Sequence, residues 1–196
     1  MMYGQNLGSE KTCNRIPAGS VGIEIGVWKG DSSERFLNRA GHLHLVDSWS
    51  PIAYEHSTEH GSYENYLKRY EVLVGSRNPN DYQKFYDGIA NSVQERFKDS
   101  PVTIYRMNSQ EFFKIFAETV DWVYVDGDHS YNGVMHDLTN ALRVIKPNGI
   151  ILGDDYSIVP PKAGHKPDVK RAVDDFVKQN NLKFDNFYGT QYEIKQ

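Results

Sequence analysis

Carboxylates recur in this 196-residue chain where strand-like apolar runs have just ended: Asp47, Asp126 with Asp128, and Asp154 with Asp155. Glu24 stands earlier, near the end of the β-branched run Val21–Ile25, and Gly26 and Gly30 follow it. Ligands of an open parallel sheet bind beyond the carboxyl ends of its strands, so these residues would share one rim. The segment GIEIGVWKGDSS can bring its backbone close to a ligand, because Gly26 and Gly30 carry no side chain at the strand-to-helix turn; a tight turn alone would use the same glycines. Asp47 comes about 20 residues after Gly26, the spacing at which a second strand's terminal acid meets a ribose hydroxyl pair. Together these features describe a site for a nucleoside-containing cofactor. Glu24 interrupts a buried apolar strand, where an ionised group is costly without a partner, and a cationic ligand end would serve as one.

A second group, Asp126-Gly127-Asp128-His129 with Asp154-Asp155, offers carboxylate oxygens from two neighbouring strand ends. Such a set suits a hard divalent cation such as Mg²⁺, with water and substrate oxygens completing the octahedron. Carboxylates crowded together also repel one another unless a cation or a proton relieves them. Helix capping by Asp128 and a loop turn at Asp154-Asp155 would be the structural use of the same residues.

The elements that must hold these groups alternate in type. Apolar runs of strand length at 21–25, 42–46, 102–106, 122–125 and 150–153 are separated by amphipathic stretches, the pattern of a parallel sheet wrapped by helices. Helices are predicted from Asp31, which is read as a cap, and over 63–74, 81–98, 109–117, 131–145 and 168–180. Asn108 opens the third of the later helices, with Glu111 three residues on. Pro147-Asn148-Gly149 is read as the stop of the helix before the fifth strand. Residues 184–188 and 191–194 are expected to close the fold as a hairpin around Gly189-Thr190. The expected fold is therefore α/β, a Rossmann-like doubly wound sheet, mostly parallel with an antiparallel C-terminal hairpin strand. One domain over 1–196 is expected, with a substrate or lid insertion at 48–80 where the sequence becomes irregular.

Composition narrows the function classes. With 22 basic and 26 acidic residues the net charge is −4, so no global basic field exists to hold a nucleic-acid backbone or an anionic membrane. Lys162, Lys166, Lys170 and Arg171 make only a local patch. The lone Cys13 can form neither an internal disulfide nor a Cys-rich zinc site. The first residues, MMYGQNLGSEKTCNR, lack a signal-peptide core, and no run approaches the ~20 apolar residues of a membrane span. A cytoplasmic protein is expected, acting on a small-molecule acceptor without nucleic acid or membrane, with a homodimer compatible with the chain.

From Val21 to the final hairpin, the sequence resembles the class I S-adenosylmethionine-dependent methyltransferases, on three stretches. In that family the Glu-x-Gly-x-x-x-Gly motif, here Glu24, Gly26 and Gly30, lies against the amino-acid part of the cofactor, and Asp47 matches the ribose-binding acid. The stretch VTIYRMNSQEFF is similar to the adenine-contacting segment of the catechol O-methyltransferase type, which implies Asn108, Ser109 and Gln110 beside the base. The stretch DWVYVDGDHSYNGVMHDLTNALRVIKPNGIILGDDY resembles the small-molecule enzymes that include the macrocin O-methyltransferase-like group. That resemblance implies metal ligands Asp126, Asp154 and Asp155, with Asp126 also among the cofactor contacts. The chain departs from these relatives in having only about 20 residues before Val21, so substrate cover is reduced or built differently. The catechol type also carries a basic lysine three residues after the first metal aspartate, where this chain has His129. A histidine can accept a hydroxyl proton, so His129 is the candidate catalytic base, with helix capping or cofactor contact as its other uses.

The implied activity is S-adenosylmethionine-dependent O-methylation of a small hydroxylated molecule, a sugar, glycosylated metabolite or phenol, with Mg²⁺ assistance. A nicotinamide-dependent oxidoreductase is the rival enzyme reading, but its Gly-x-Gly-x-x-Gly turn would need glycine where Trp28 stands. A non-catalytic cofactor-binding module on the same fold is the third. The acceptor pocket is expected from Trp49, Tyr54, His56, His60, Tyr156 and His165, whose rings could stack on a sugar or aromatic.

Overall fold

The computed structural model describes residues 7–55, 59–156 and 168–196. Its strands are β1 (Val21–Ile25), β2 (His42–Asp47), β3 (Val102–Arg106), β4 (Val120–Val125), β5 (Ile145–Gly153), β6 (Lys183–Tyr188) and β7 (Gln191–Lys195). They form one sheet in the order β3-β2-β1-β4-β5-β7-β6. β1 runs parallel to β2 and β4, and β5 extends the parallel set, while β7 pairs antiparallel with both β5 and β6. The helices are α1 (Leu7–Cys13), α2 (Asp31–Phe36), α3 (Tyr63–Val74), α4 (Pro79–Phe97), α5 (Ser109–Ile115), α6 (Tyr131–Val144) and α7 (Asp168–Asn180), with a 3-10 turn at Pro51–Tyr54.

Side chains alternate across a strand with period two, and each parity of the central strands feeds a different core. Ile23, Ile25, Val123, Val125 and Ile151 pack with Phe112, Leu138 and Phe176, contributed by α5, α6 and α7. Leu43, Leu45, Trp122, Tyr124 and Leu152 pack with Phe36, Tyr82, Val93 and Phe97 of α2 and α4. Gly22 lies on the second face because a Cβ there would lie 2.0 Å from the Trp122 ring. Glu24 shares that parity, which turns its carboxylate toward α2.

Several boundaries differ from the expectation. Asp31 does not cap α2: Gly30, at φ +79°, is the N-cap with no side-chain bond, and Asp31 and Glu34 pair with Arg96 of α4 instead. β5 begins at Ile145, directly after α6. Between Ile145 and Ile150 it advances five residues against two on β4, and the excess bulges out with Asn148 at φ +65°. Helix α1, which no periodicity announced, is tied to the hairpin by Arg15, 2.9 Å from both Glu193 and Asp185. Among the described residues no helix is long and apolar enough to cross a membrane.

Candidate active site

Sheet register brings the carboxyl ends of four strands together. Ile25 pairs with Val46 and Val125, and Val125 with Gly153, so Gly26, Asp47, Asp126 and Asp154 leave the sheet side by side. The backbone is stitched there by Gly26 N–H to the Val46 carbonyl (2.9 Å) and Asp126 N–H to the Ile25 carbonyl (2.9 Å). Gly26 has φ +88°, and a Cβ on it would lie 2.0 Å from the Asp126 carbonyl oxygen. The bare backbone of Gly26 is thus required by the neighbouring turn. Gly30 likewise leaves room for the Phe97 ring.

Asp47 joins two loops. Its Oδ2 accepts from the Trp28 N–H (2.9 Å) and its Oδ1 from the Trp49 N–H (2.8 Å), while the Trp49 indole donates to the Trp28 carbonyl (2.8 Å). Burial pushes the Asp47 carboxyl up, against the pull of these N–H groups. Each oxygen keeps lone-pair capacity for a ligand hydroxyl.

Glu24 is 1% exposed and accepts from the Ser33 hydroxyl. Burial is the main reason its carboxyl is pushed up to about 8; the Ser33 bond opposes this, and the charges of Asp126 and Asp47 add to it. The buried acid is therefore relieved by a proton and a hydroxyl. Because the folded value lies above the ordinary 4.5, its stabilising contribution is full below about pH 4.5 and is lost as pH rises through about 8. Glu24→Gln cannot ionise, so in cofactor-free protein its melting temperature is expected to gain steadily on that of wild type as pH rises from about 4.5 to about 8, and to keep a constant offset above that. Thermal unfolding from pH 5 to 9 reads this, and parallel curves would count against it.

The second half of the rim centres on His129. Its Nε2 lies 3.3 Å from Asp126, and its Nδ1 lies 3.4 Å from Asp155 and 3.6 Å from Glu59, just before α3. Burial alone would push the imidazole down, but the carboxylates of Asp126 and Glu59 more than offset it and hold the ring protonated above its usual range. Asp126 is pushed up to about 7, first by burial, with His129 opposing and Asp154 and Asp155 reinforcing. Glu59 is lowered, because His129 and His60 outweigh its burial.

One ligand atom each from Asp126, His129 and Asp155 lies within 4.8 Å of the others, a donor set of two carboxylates and an imidazole that fits a divalent cation. Asp154 stands beside this group, with its carboxylate accepting from the Thr190 hydroxyl and the Asp155 N–H. His129 does not cap α6: Ser130 does, accepting from the Gly133 N–H (3.1 Å), and Asp128 in turn braces Ser130. At the end of β3, Asn108 caps α5 through the Glu111 N–H (2.8 Å), Ser109 is half-buried at the start of that helix, and Gln110 is exposed.

The aromatic residues expected to line a pocket mostly pack on one another. Trp49 is fully buried, Tyr54 stacks on Tyr66 at 4.2 Å, and His60 sits among Tyr54, Tyr66 and Tyr70. Tyr156 hydrogen-bonds to Asp174 and Lys170. His56, His165, Lys162 and Lys166 lie outside the described residues. Glu59 is the site residue that sequence reasoning missed; nothing in its local pattern marks it, since only the fold carries it to His129.

A sheet of this order with cofactor-spaced acids at its carboxyl edge defines a class I S-adenosylmethionine-dependent methyltransferase. A family model described as methyltransferase domain matches residues 23–156, and the chain belongs to that family. No curated protein matches the sequence significantly. Among solved structures the fold is similar to precorrin-6y C5,15-methyltransferase from Geobacter metallireducens GS-15, with TM-score 0.64 and 12% identity over 100% of this chain and 92% of that one. It is also similar to an O-methyltransferase from Bacillus cereus in complex with SAH, with TM-score 0.62 and 14% identity over 98% and 82% of the two chains. A third is the O-methyltransferase TomG from Streptomyces achromogenes, with TM-score 0.57 and 13% identity over 97% and 78%.

Proposed function

We propose that the protein methylates a hydroxyl of a small molecule, such as a sugar, glycosylated metabolite or phenol, using S-adenosylmethionine, and that it does so in the cytoplasm. The observation that carries this reading is His129, with one ring nitrogen facing Asp126 and the other facing Asp155 on the strand-end rim that also holds Asp47. The Bacillus cereus structure, which holds SAH in a similar fold, supports the cofactor.

Glu24, Gly26 and Gly30 would lie against the amino-acid end of the cofactor, Asp47 would accept from its ribose hydroxyls, and Asn108, Ser109 and Gln110 would flank the adenine, with Asp126 between cofactor and acceptor. The cofactor supplies the electrophilic methyl group, and Mg²⁺ held by Asp126 and Asp155, with Asp154 adjoining, would acidify the acceptor hydroxyl. In its neutral form, reached once it sheds the proton that Asp126 and Glu59 hold on it, His129 takes the hydroxyl proton as the oxygen gains its methyl group, which balances the loss of charge at the sulfonium. Asp126 and Glu59 orient the imidazole, and the loops tied by Asp47 hold the reactants in line.

Calorimetric titration is expected to show binding of S-adenosylmethionine and its demethylated product at low-micromolar to submillimolar concentration, typical of small-molecule substrates. Binding of NAD with no response to either compound would favour the oxidoreductase reading and reject this one. With an acceptor identified from a panel of hydroxylated compounds, turnover should vanish in excess chelator and return with Mg²⁺. Full activity in chelator would remove the cation from the mechanism.

A further inference from the structure

Asp155, which shares the cation group with Asp126 and His129, holds its backbone at φ +63°. A residue other than glycine keeps that left-handed conformation only where its surroundings over-determine it. Asp155 is fixed from both sides. Its N–H donates to Asp154 Oδ1 (2.7 Å), and Asp154 in turn accepts from the Thr190 hydroxyl. On the other side the Tyr156 N–H donates to the Thr190 carbonyl (3.0 Å), and the Tyr156 hydroxyl donates to Asp174 of α7 (2.7 Å).

The segment that carries His129 is held from the same helix. Tyr131, the first residue of α6, donates its hydroxyl to Asp175 Oδ2 (2.9 Å). One turn earlier on α7, the Lys170 ammonium lies 4.8 Å from the centre of the Tyr156 ring, and the Arg171 guanidinium lies 4.4 Å from that of Tyr131. Lys170 also donates to the Tyr156 hydroxyl (3.2 Å). The run Lys170-Arg171-Ala172-Val173-Asp174-Asp175 therefore builds one bracket twice, a residue apart: a cation over the ring face and, four residues on, a carboxylate for the hydroxyl. Ala172 and Val173, both fully buried, root the two brackets in the core. Lys170 and Arg171, which read as part of a basic patch in the sequence, are thus engaged in gripping two tyrosines of the rim.

We propose that Tyr131 and Tyr156, held by this doubled bracket on α7, are positioning residues that fix the spacing of the His129 and Asp155 segments and so preorganise the rim for a divalent cation. This role rests on the cation in the function proposed above. Neither tyrosine belongs to the cation group; each acts through the segment it adjoins, as groups behind the ligands of a metal site commonly do. Gly26, Gly30 and Asp47 follow β1 and β2, on the other half of the rim, so the bracket bears on the cation and not on the cofactor.

The test is Mn²⁺ binding by the cofactor-free protein, read as loss of the free-ion signal in electron paramagnetic resonance, with S-adenosylhomocysteine binding measured by calorimetry alongside. Tyr131→Phe and Tyr156→Phe keep the rings and remove only the hydroxyls. Each is expected to weaken Mn²⁺ about threefold, and the double variant about tenfold or more, at the low end of what groups behind the ligands contribute. Affinity for S-adenosylhomocysteine should stay within about twofold of wild type throughout. A folded double variant that binds Mn²⁺ like wild type overturns the proposal. So does one that loses affinity for both ligands in equal measure, the mark of a purely structural role. Should the double variant not fold, wild-type affinity for Mn²⁺ in both single variants overturns it as well. Wild type that takes up no Mn²⁺, or that still binds it after Asp155→Ala, defeats the cation reading beneath. Mn²⁺ binding that is lost in Asp155→Ala but untouched in the double variant defeats this inference alone.

Discussion

Replacing His129 with alanine is expected to slow methyl transfer by about 10²- to 10⁴-fold while leaving affinity for S-adenosylhomocysteine within about threefold of wild type. That range is what a positioned general base contributes, and a group acting only in the transition state lowers rate without touching ground-state binding. The structure sharpens the test by removing one rival role, since Ser130 and not His129 caps α6. It also adds a consideration. The ring lies among Asp126, Asp155 and Glu59, so alanine leaves three carboxylates facing one another. His129→Gln, which keeps hydrogen-bonding capacity without basicity, should therefore match alanine in rate and exceed it in thermal stability. Rate and cofactor affinity falling together would make His129 a cofactor contact, and wild-type rates in both variants would leave the proton to solvent.

Gly26→Ala should cost about 2–6 kcal/mol of stability, from a non-glycine residue held at positive φ together with overpacking. The atom in the way is the Asp126 carbonyl oxygen, 2.0 Å from the added Cβ, with the Gly127 Cα at 2.9 Å. Both belong to backbone, so no side chain can swing aside. For a chain of this length the loss corresponds to a fall of roughly 5–20 °C in melting temperature. Gly88→Ala is the matched control: Gly88 lies within α4 with nothing within 4 Å of an added Cβ, so its replacement should stabilise by about 0.5–1 kcal/mol. Calorimetric melts of the two variants decide the matter, and a Gly26→Ala protein that melts like wild type would show that the two turns can separate freely.

Much of the sheet was readable from local pattern because its inner strands are buried on both faces and so appear as continuous β-branched and aromatic runs. The β5 start was not, since Pro147-Asn148-Gly149 carries the chemistry of a helix stop and the bulge that absorbs it is set by pairing with β4. Asp31 was misread because a carboxylate before a helix looks the same whether it caps the backbone or meets Arg96 from 65 residues away. In the site, Asp47, Asp126 and His129 were legible as strand-end residues, yet their partners were not. Trp49 was taken for a pocket wall, although Asp47 and the Trp28 carbonyl hold it inside the core. Glu59 escaped notice since it follows no strand; it reaches His129 by tertiary packing, which no spacing rule encodes.

The placement of β7 between β5 and β6 has a bearing on how the chain reaches this state. Residues 191–195 fill an inner position of the sheet, and Arg15 meets Glu193 across a separation of 178 residues. During synthesis the outer edge of Ile150–Gly153 stays open until residues 191–195 have emerged from the ribosome, so the sheet is completed by insertion of the last strand made and not by growth at its border. Contacts this distant in sequence slow the search for the native topology and leave an apolar strand edge exposed to self-association meanwhile. A nascent chain stalled before Gln191 would present that edge to chaperones, whatever the state of the strand-end rim already assembled behind it.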